Sequence, residues 1–138
     1  MNVLVDTCIW SDAFRKKWSL QTETNRNELK ELIQEGRVVL LGPIRQEILS
    51  GVSHTDQFSS LKERMKAFPD YPIAMEDYEF AAELYNRFRT YGIQGSNTDF
   101  LICAIAHKRD LPIFTTDKDF QLFFKHIKIN LYSPRAKP

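Results

Sequence analysis

Four carboxylates occupy the same kind of junction along this chain of 138 residues. Asp6 closes the apolar run Val3-Leu4-Val5, and Glu47 follows Val38-Val39-Leu40-Leu41 by one short turn. Asp99 opens the apolar stretch Phe100-Leu101-Ile102-Cys103-Ala104-Ile105-Ala106, and Asp117 ends Ile113-Phe114-Thr115-Thr116. If the runs are parallel strands, residues at their carboxyl ends face one crevice, where open α/β sheets bind ligands. Acids gathered there repel one another and call for a hard cation, Mg²⁺ or Mn²⁺. The chemistry such a centre supports is metal-assisted work on phosphate.

Each acid has a plainer reading as well. Ser96-Asn97-Thr98-Asp99 has capping-box spacing, so Asp99 could simply close the start of its helix. Asp6 and Asp117 each precede a helix and could be N-caps, and Glu47 could be a solvated helix residue. Capping, however, needs no convergence, and Ser, Thr or Asn would cap as well without mutual repulsion. The gathering of all four at one sheet edge is what favours a metal pocket.

The elements that must position them can be read from periodicity and punctuation. Residues 2–6 form a buried strand followed at once by helix-like Ile9-Trp10. A helix is predicted over 25–35 with Gly36 as its stop, then a strand over 37–41. Gly42-Pro43 turns the chain and sets Pro43 at a first helical position, with Ile44, Ile48 and Leu49 on one face. Further helices are predicted over 57–67, 77–91, from Asp99 onward, and 118–125. Strands are predicted over 71–75, 112–116 and 127–132. Strands alternating with helices give an α/β fold, a mainly parallel sheet with helices on both faces. Residues 1–133 make one domain, and Pro134-Arg135-Ala136-Lys137-Pro138 a flexible tail.

Composition narrows the class. With 43% hydrophobic and 27% charged residues the chain is globular rather than disordered. Its apolar stretches are too short to span a bilayer, and no signal-peptide pattern opens it. Nineteen basic against eighteen acidic residues give a net charge of +1, unlike a protein that holds nucleic acid by charge alone. Cys8 and Cys103 are too few for a disulfide framework or a zinc cluster, read as small buried hydrophobes, and fit a reducing cytoplasm. His54, His107 and His126 show no metal-ligand spacing.

Four segments taken in order carry a resemblance: Val5-Asp6-Thr7, Gln46-Glu47-Ile48-Leu49-Ser50-Gly51, Asp99 through Ala106, and Phe114-Thr115-Thr116-Asp117-Lys118-Asp119-Phe120. The acids stand about forty to fifty and then about twenty residues apart. Any one segment is common. Together, over essentially the whole chain, they resemble the PIN domain, and within it the VapC-type ribonuclease toxins of toxin–antitoxin pairs. The resemblance implies a three-layer α/β/α fold and a Mg²⁺- or Mn²⁺-dependent endoribonuclease. It places the acidic set on Asp6, Glu47, Asp99 and Asp117, with Asp6, Asp99 and Asp117 as metal ligands. Thr7 and Thr115 match small hydroxyl positions that would orient a carboxylate or water, and Asp119 a less constant acid. Glu47 is the candidate to hold or deprotonate the attacking water. The resemblance also implies a homodimer and an antitoxin whose segment covers the acidic site. Asp12 has no assigned role.

Substrate contacts are sought in Arg15-Lys16-Lys17 followed by Trp18, which combines phosphate-binding charge with a stacking ring, a solvated helix end with a core or interface Trp being the alternative, and in Arg45, which could touch phosphate or a partner's acidic segment. Lys62, Arg64 and Lys66 read as a solvated helix face. Phe80, Tyr85 and Phe88 are candidates for a partner contact, with core packing as the alternative. Two rival functions remain at this level. One is a metal-dependent phosphatase or phosphoacceptor domain, which would need a second acid beside Asp6 or a well-placed lysine, Lys118 being the only one. The other is a non-catalytic RNA-binding module.

Overall fold

Val3–Val5 (β1) is wholly inaccessible to solvent, as a central parallel strand covered on both faces must be. Val38–Val39 (β2) and Ile113–Phe114 (β3) flank it, giving the order β2-β1-β3 with every pairing parallel. Val3 lies opposite Val38, and Val5 opposite Phe114. The structure, a computed structural model, describes residues 1–14 and 19–135. Arg15, Lys16, Lys17 and Trp18 of the expected substrate-binding stretch therefore lie outside the described residues.

Helices flank the sheet. Thr7–Phe14 (α1) follows β1 after a single residue and packs against Leu20–Gln34 (α2) and Gly42–Ser50 (α3). Thr55–Met65 (α4) packs on α3. Met75–Thr90 (α5) runs along Asn97–Arg109 (α6), and Asp119–Phe123 (α7) follows β3. Residues Phe100 to Ala106 of α6 are all buried, so its body is core and its first turn is anchored. The Arg109 guanidinium grips buried Asp77 with two hydrogen bonds of 2.9 and 3.0 Å. That clamp joins the start of α5 to the end of α6, makes the pair antiparallel and leaves the 91–96 loop to deliver the α6 N-terminus. Among the described residues no helix is long and apolar enough to cross a membrane.

Several expectations shift. The helix predicted over 25–35 starts earlier, at Leu20, because Ser19 and Thr22 cap each other: Ser19 Oγ accepts the Thr22 N–H at 3.1 Å and Thr22 Oγ1 accepts the Ser19 N–H at 2.9 Å. Gly36, at φ +67°, ends that helix as read. The strand predicted over 71–75 does not form. Pro72 offers no N–H for a ladder, Tyr71 makes a single bond to the Leu40 carbonyl at 2.8 Å, and Met75 already begins α5. The last strand shrinks to one parallel bridge between Ile113 and Leu131. Arg135, which the sequence assigns to the tail, hydrogen-bonds Glu28 and Glu35 on α2, at 3.0 and 2.9 Å.

Candidate active site

The carboxyl ends of β1 and β3 and the N-terminal turn of α6 meet at one edge of the sheet, with α3 alongside. Asp6 leaves β1 almost fully buried, 6% exposed. Its Oδ1 accepts the Thr7 N–H at 2.7 Å, and its Oδ2 accepts the Thr115 hydroxyl at 2.8 Å. Thr115 Oγ1 accepts in turn the N–H of Asp117 at 3.0 Å. One hydroxyl thus ties the acid that ends β1 to the acid that follows β3. Thr7 makes the matching link on the other side, donating from Oγ1 to Glu47 Oε1 at 2.7 Å.

Asp99 arrives by a different route. Ser96 Oγ accepts the Asp99 N–H at 3.1 Å, and Asp99 Oδ2 accepts the Ser96 N–H at 3.0 Å, a reciprocal capping box. The capping role and the convergence are therefore both real. Asp117 Oδ1 accepts the Asp119 N–H at 3.0 Å, so Asp119 meets the group through its backbone.

Burial and mutual charge act on these acids together. Burial pushes the Asp99 carboxyl above its ordinary range, and the charges of Asp117 and Glu47 push it further. Burial likewise raises Asp6, with Asp99 adding to the rise, while the Thr115 and Thr7 hydrogen bonds work against it. Asp117 and Glu47 thus act on Asp99, and Asp99 acts on Asp6. A site that holds excess negative charge against such resistance favours a cation.

Hard oxygen donors suit Mg²⁺ or Mn²⁺. Among the described residues, no three His, Cys, Asp or Glu side chains are gathered tightly enough to hold a metal ion by themselves, so Asp6, Asp99 and Asp117 do not form a ready cage. Like charges spread apart, and Mg²⁺ keeps several waters while taking one or two carboxylates directly. One or two carboxylates of this kind, with water completing the shell, are what such an ion takes.

Two readings need correction. Cys8 is not a buried hydrophobe: it is partly exposed and its Sγ lies 3.6 Å from Asp6 Oδ2, 3.4 Å from Thr115 Oγ1 and 3.4 Å from the Thr116 nitrogen. Burial and the Asp6 charge hold its thiol protonated, able to donate to Asp6. Its place two residues past Asp6, at the strand-to-helix turn, is the sequence signal for a role there. Arg45 turns away from phosphate duty. Its guanidinium pairs with Asp70 at 2.8 Å and donates to the Met65 and Phe68 carbonyls, fastening α3 to the end of α4. Cys103, by contrast, is buried as read.

The chain matches the PIN domain family over residues 3–124. It is 30% identical over 122 residues to VapC ribonuclease Mb1587 of Mycobacterium bovis, an alignment covering 87% of this chain and 90% of that protein. The same figures hold for ribonuclease VapC11 of Mycobacterium tuberculosis. Among solved structures, FitAcB from Neisseria gonorrhoeae superposes with a TM-score of 0.75 at 21% identity, over 96% of this chain and 97% of that one. VapBC2 from Rickettsia felis superposes with a TM-score of 0.71 at 18% identity, over 95% and 96%. The family match over most of the chain and the 30% identity to these ribonucleases make this chain a member of the PIN-domain family, most like the VapC ribonucleases.

Proposed function

We propose that the protein is a Mg²⁺- or Mn²⁺-dependent endoribonuclease, the toxin of a toxin–antitoxin pair. One observation carries this reading: at the carboxyl edge of the sheet the Thr115 hydroxyl bridges Asp6 and Asp117, Thr7 links the end of β1 to Glu47, and the first turn of α6 brings Asp99 to the same group. The relatives named ribonucleases support the substrate class, and solved neighbours that include a toxin–antitoxin complex from Klebsiella pneumoniae support the partner. The protein would work as a homodimer in the cytoplasm, with an antitoxin segment covering the acids.

Asp6, Asp99 and Asp117 would hold the metal, with Thr115 and Cys8 orienting Asp6. A bound divalent ion supplies charge neutralisation at the phosphodiester and a lower pKa for water. Glu47 is exposed, and Thr7 occupies only its Oε1. Among the described residues nothing else is bonded to its carboxylate, so Oε2 would take the proton of a water attacking phosphorus in line. The P–O3′ bond would break, O3′ taking a proton from solvent, to leave a 5′-phosphate and a 3′-hydroxyl.

The test is cleavage of a mixed cellular RNA pool by partner-free protein with Mg²⁺ or Mn²⁺, against EDTA and against Asp99→Asn. Discrete fragments that need both metal and Asp99, with 5′-phosphate ends, are expected. Hydrolysis of an aryl phosphate without RNA cleavage would move the site to the phosphatase class. Metal binding with neither activity would leave a non-catalytic module.

A further inference from the structure

Residues 84–98 and 120–135 contain neither Asp nor Glu, although the chain holds eighteen acids. The fold brings these two segments together. The Phe88 ring lies 5.7 Å from Phe123 and 5.8 Å from His126, and Tyr91 stacks on His126 at 4.5 Å with planes 17° apart. Gly95 sits so near Phe123 and Phe100 that a Cβ there would come within 2.9 and 3.1 Å of their rings. Outside this aromatic seam, Arg87, Arg89 and Lys125 are exposed, as are Tyr91 and Phe124 at 53% and 55%. The Arg89 guanidinium lies 5.5 Å over the Tyr85 ring. Glu83 and Asp119 mark the margins in sequence.

The position of this surface matters as much as its charge. The first segment ends one residue before Asp99 and contributes Ser96 to its capping box. The second begins three residues after Asp117. A centre of four carboxylates repels a polyanion, so cations that draw one in have to stand beside it, not within it. A net charge of +1 over the whole chain hides that local excess.

We propose that this surface holds single-stranded RNA as it enters the acidic centre, an inference that rests on the nuclease reading. Arg89 and Lys125 meet phosphates. Tyr91, backed by His126, and Phe124 offer flat faces to bases. Exposed rings serve unstacked bases and not a paired helix, whose bases are already stacked. An acidic peptide would use the cations but has no need of the rings.

The experiment titrates a fluorescent mixed-sequence single-stranded RNA, and a duplex of equal length, into full-length Asp99→Asn protein in EDTA at several salt concentrations. The expected result for Arg89→Gln with Lys125→Gln is about tenfold weaker single-strand binding. Its log–log salt slope should be shallower by about 1.4, at about 0.7 for each phosphate no longer neutralised. Tyr91→Ala is expected to weaken single-strand binding about tenfold at an unchanged salt slope, with little effect on the duplex. In protein with Asp99 intact, the Arg89 and Lys125 pair should raise KM for RNA and leave kcat alone. These two residues are exposed, so their replacement leaves the circular dichroism spectrum unchanged and keeps the test open if Tyr91→Ala fails to fold. Unchanged affinity and slope would overturn the proposal. So would variants that lose poly-glutamate but keep RNA, which would assign the surface to an acidic protein partner. RNA binding that depends on these residues in a protein that never cleaves would uphold the surface and remove the nuclease reading. Cleavage at unaltered KM in the variants would do the reverse.

Discussion

Asp99 divides its carboxylate between two tasks. Oδ2 closes the capping box of α6, while among the described residues Oδ1 has no hydrogen-bond partner. Asn caps a helix as well as Asp does and removes the repulsion from Asp117 and Glu47. Asp99→Asn should therefore abolish metal-dependent RNA cleavage while urea unfolding shows stability equal to or slightly above the parent's. Asp99→Ala should lose cleavage and also about 1 kcal/mol with the cap. Asp99→Asn cutting RNA at the parent's rate would reduce the residue to a cap. Thr115 offers a second, independent probe. Its hydroxyl donates to Asp6 and accepts from Asp117, so Thr115→Val should loosen both acids without removing either charge. Positioning groups of this kind are worth about 10–100-fold in metal affinity. Mn²⁺ titration should show that loss in Thr115→Val and near-parental affinity in Thr115→Ser; equal affinities in both would sink the idea.

At the scale of elements, the loop that delivers α6 is held by contact rather than by hydrogen bonding alone. Phe100 and Phe123 are 1% and 0% exposed and have little room to give way to a Cβ at Gly95. Gly95→Ala should cost about 1–3 kcal/mol, read by urea unfolding. It should also lower cleavage more than stability alone explains, because Ser96 follows directly and shares its bond with Asp99. Unchanged stability and activity would mean the loop absorbs the methyl freely. Elements whose patterns are local are legible in the sequence: β1 is an unbroken apolar run, α5 repeats at helical spacing, and the Ser96–Asp99 box reads from spacing alone. The four acids are legible for the same reason, since each stands beside a strong apolar run. What escapes a sequence reading depends on partners far along the chain. Arg45 is claimed by Asp70, 25 positions away, and nothing near Arg45 announces that pairing. Cys8 reads as a hydrophobe because residue type does not reveal that Asp6, Thr115 and Thr116 surround its sulfur. The first turn of α2 escapes because Thr22 closes a box where Glu or Gln is the usual signal.

Across the whole molecule, buried acids of two kinds act on stability in opposite directions. Arg109 holds the Asp77 carboxyl below its ordinary range, and the Tyr132 hydroxyl and Arg135 do the same for Glu28 against the opposing pull of burial. A lowered pKa contributes stability that is complete above the unfolded value near pH 4 and is lost as pH falls through the lowered value. Asp6 and Asp99 are raised, chiefly by burial, so their ionisation opposes folding. That cost is absent below about pH 4, grows as pH rises through the raised values, and is complete above them. With metal chelated, the melting temperature should therefore peak on the acid side of neutrality and decline toward pH 7. Mg²⁺ binds the ionised acids and competes with protons for them. Saturating Mg²⁺ should raise the melting temperature at pH 7, by the equivalent of about 2.7 kcal/mol at a hundredfold excess over Kd, and do little at pH 4. Asp99→Asn should flatten the decline in EDTA and shrink the Mg²⁺ shift together, since one carboxylate underlies both. A Mg²⁺ shift equal at pH 4 and pH 7 would show the ion acting elsewhere on the molecule, and the acidic centre would lose its claim to the metal.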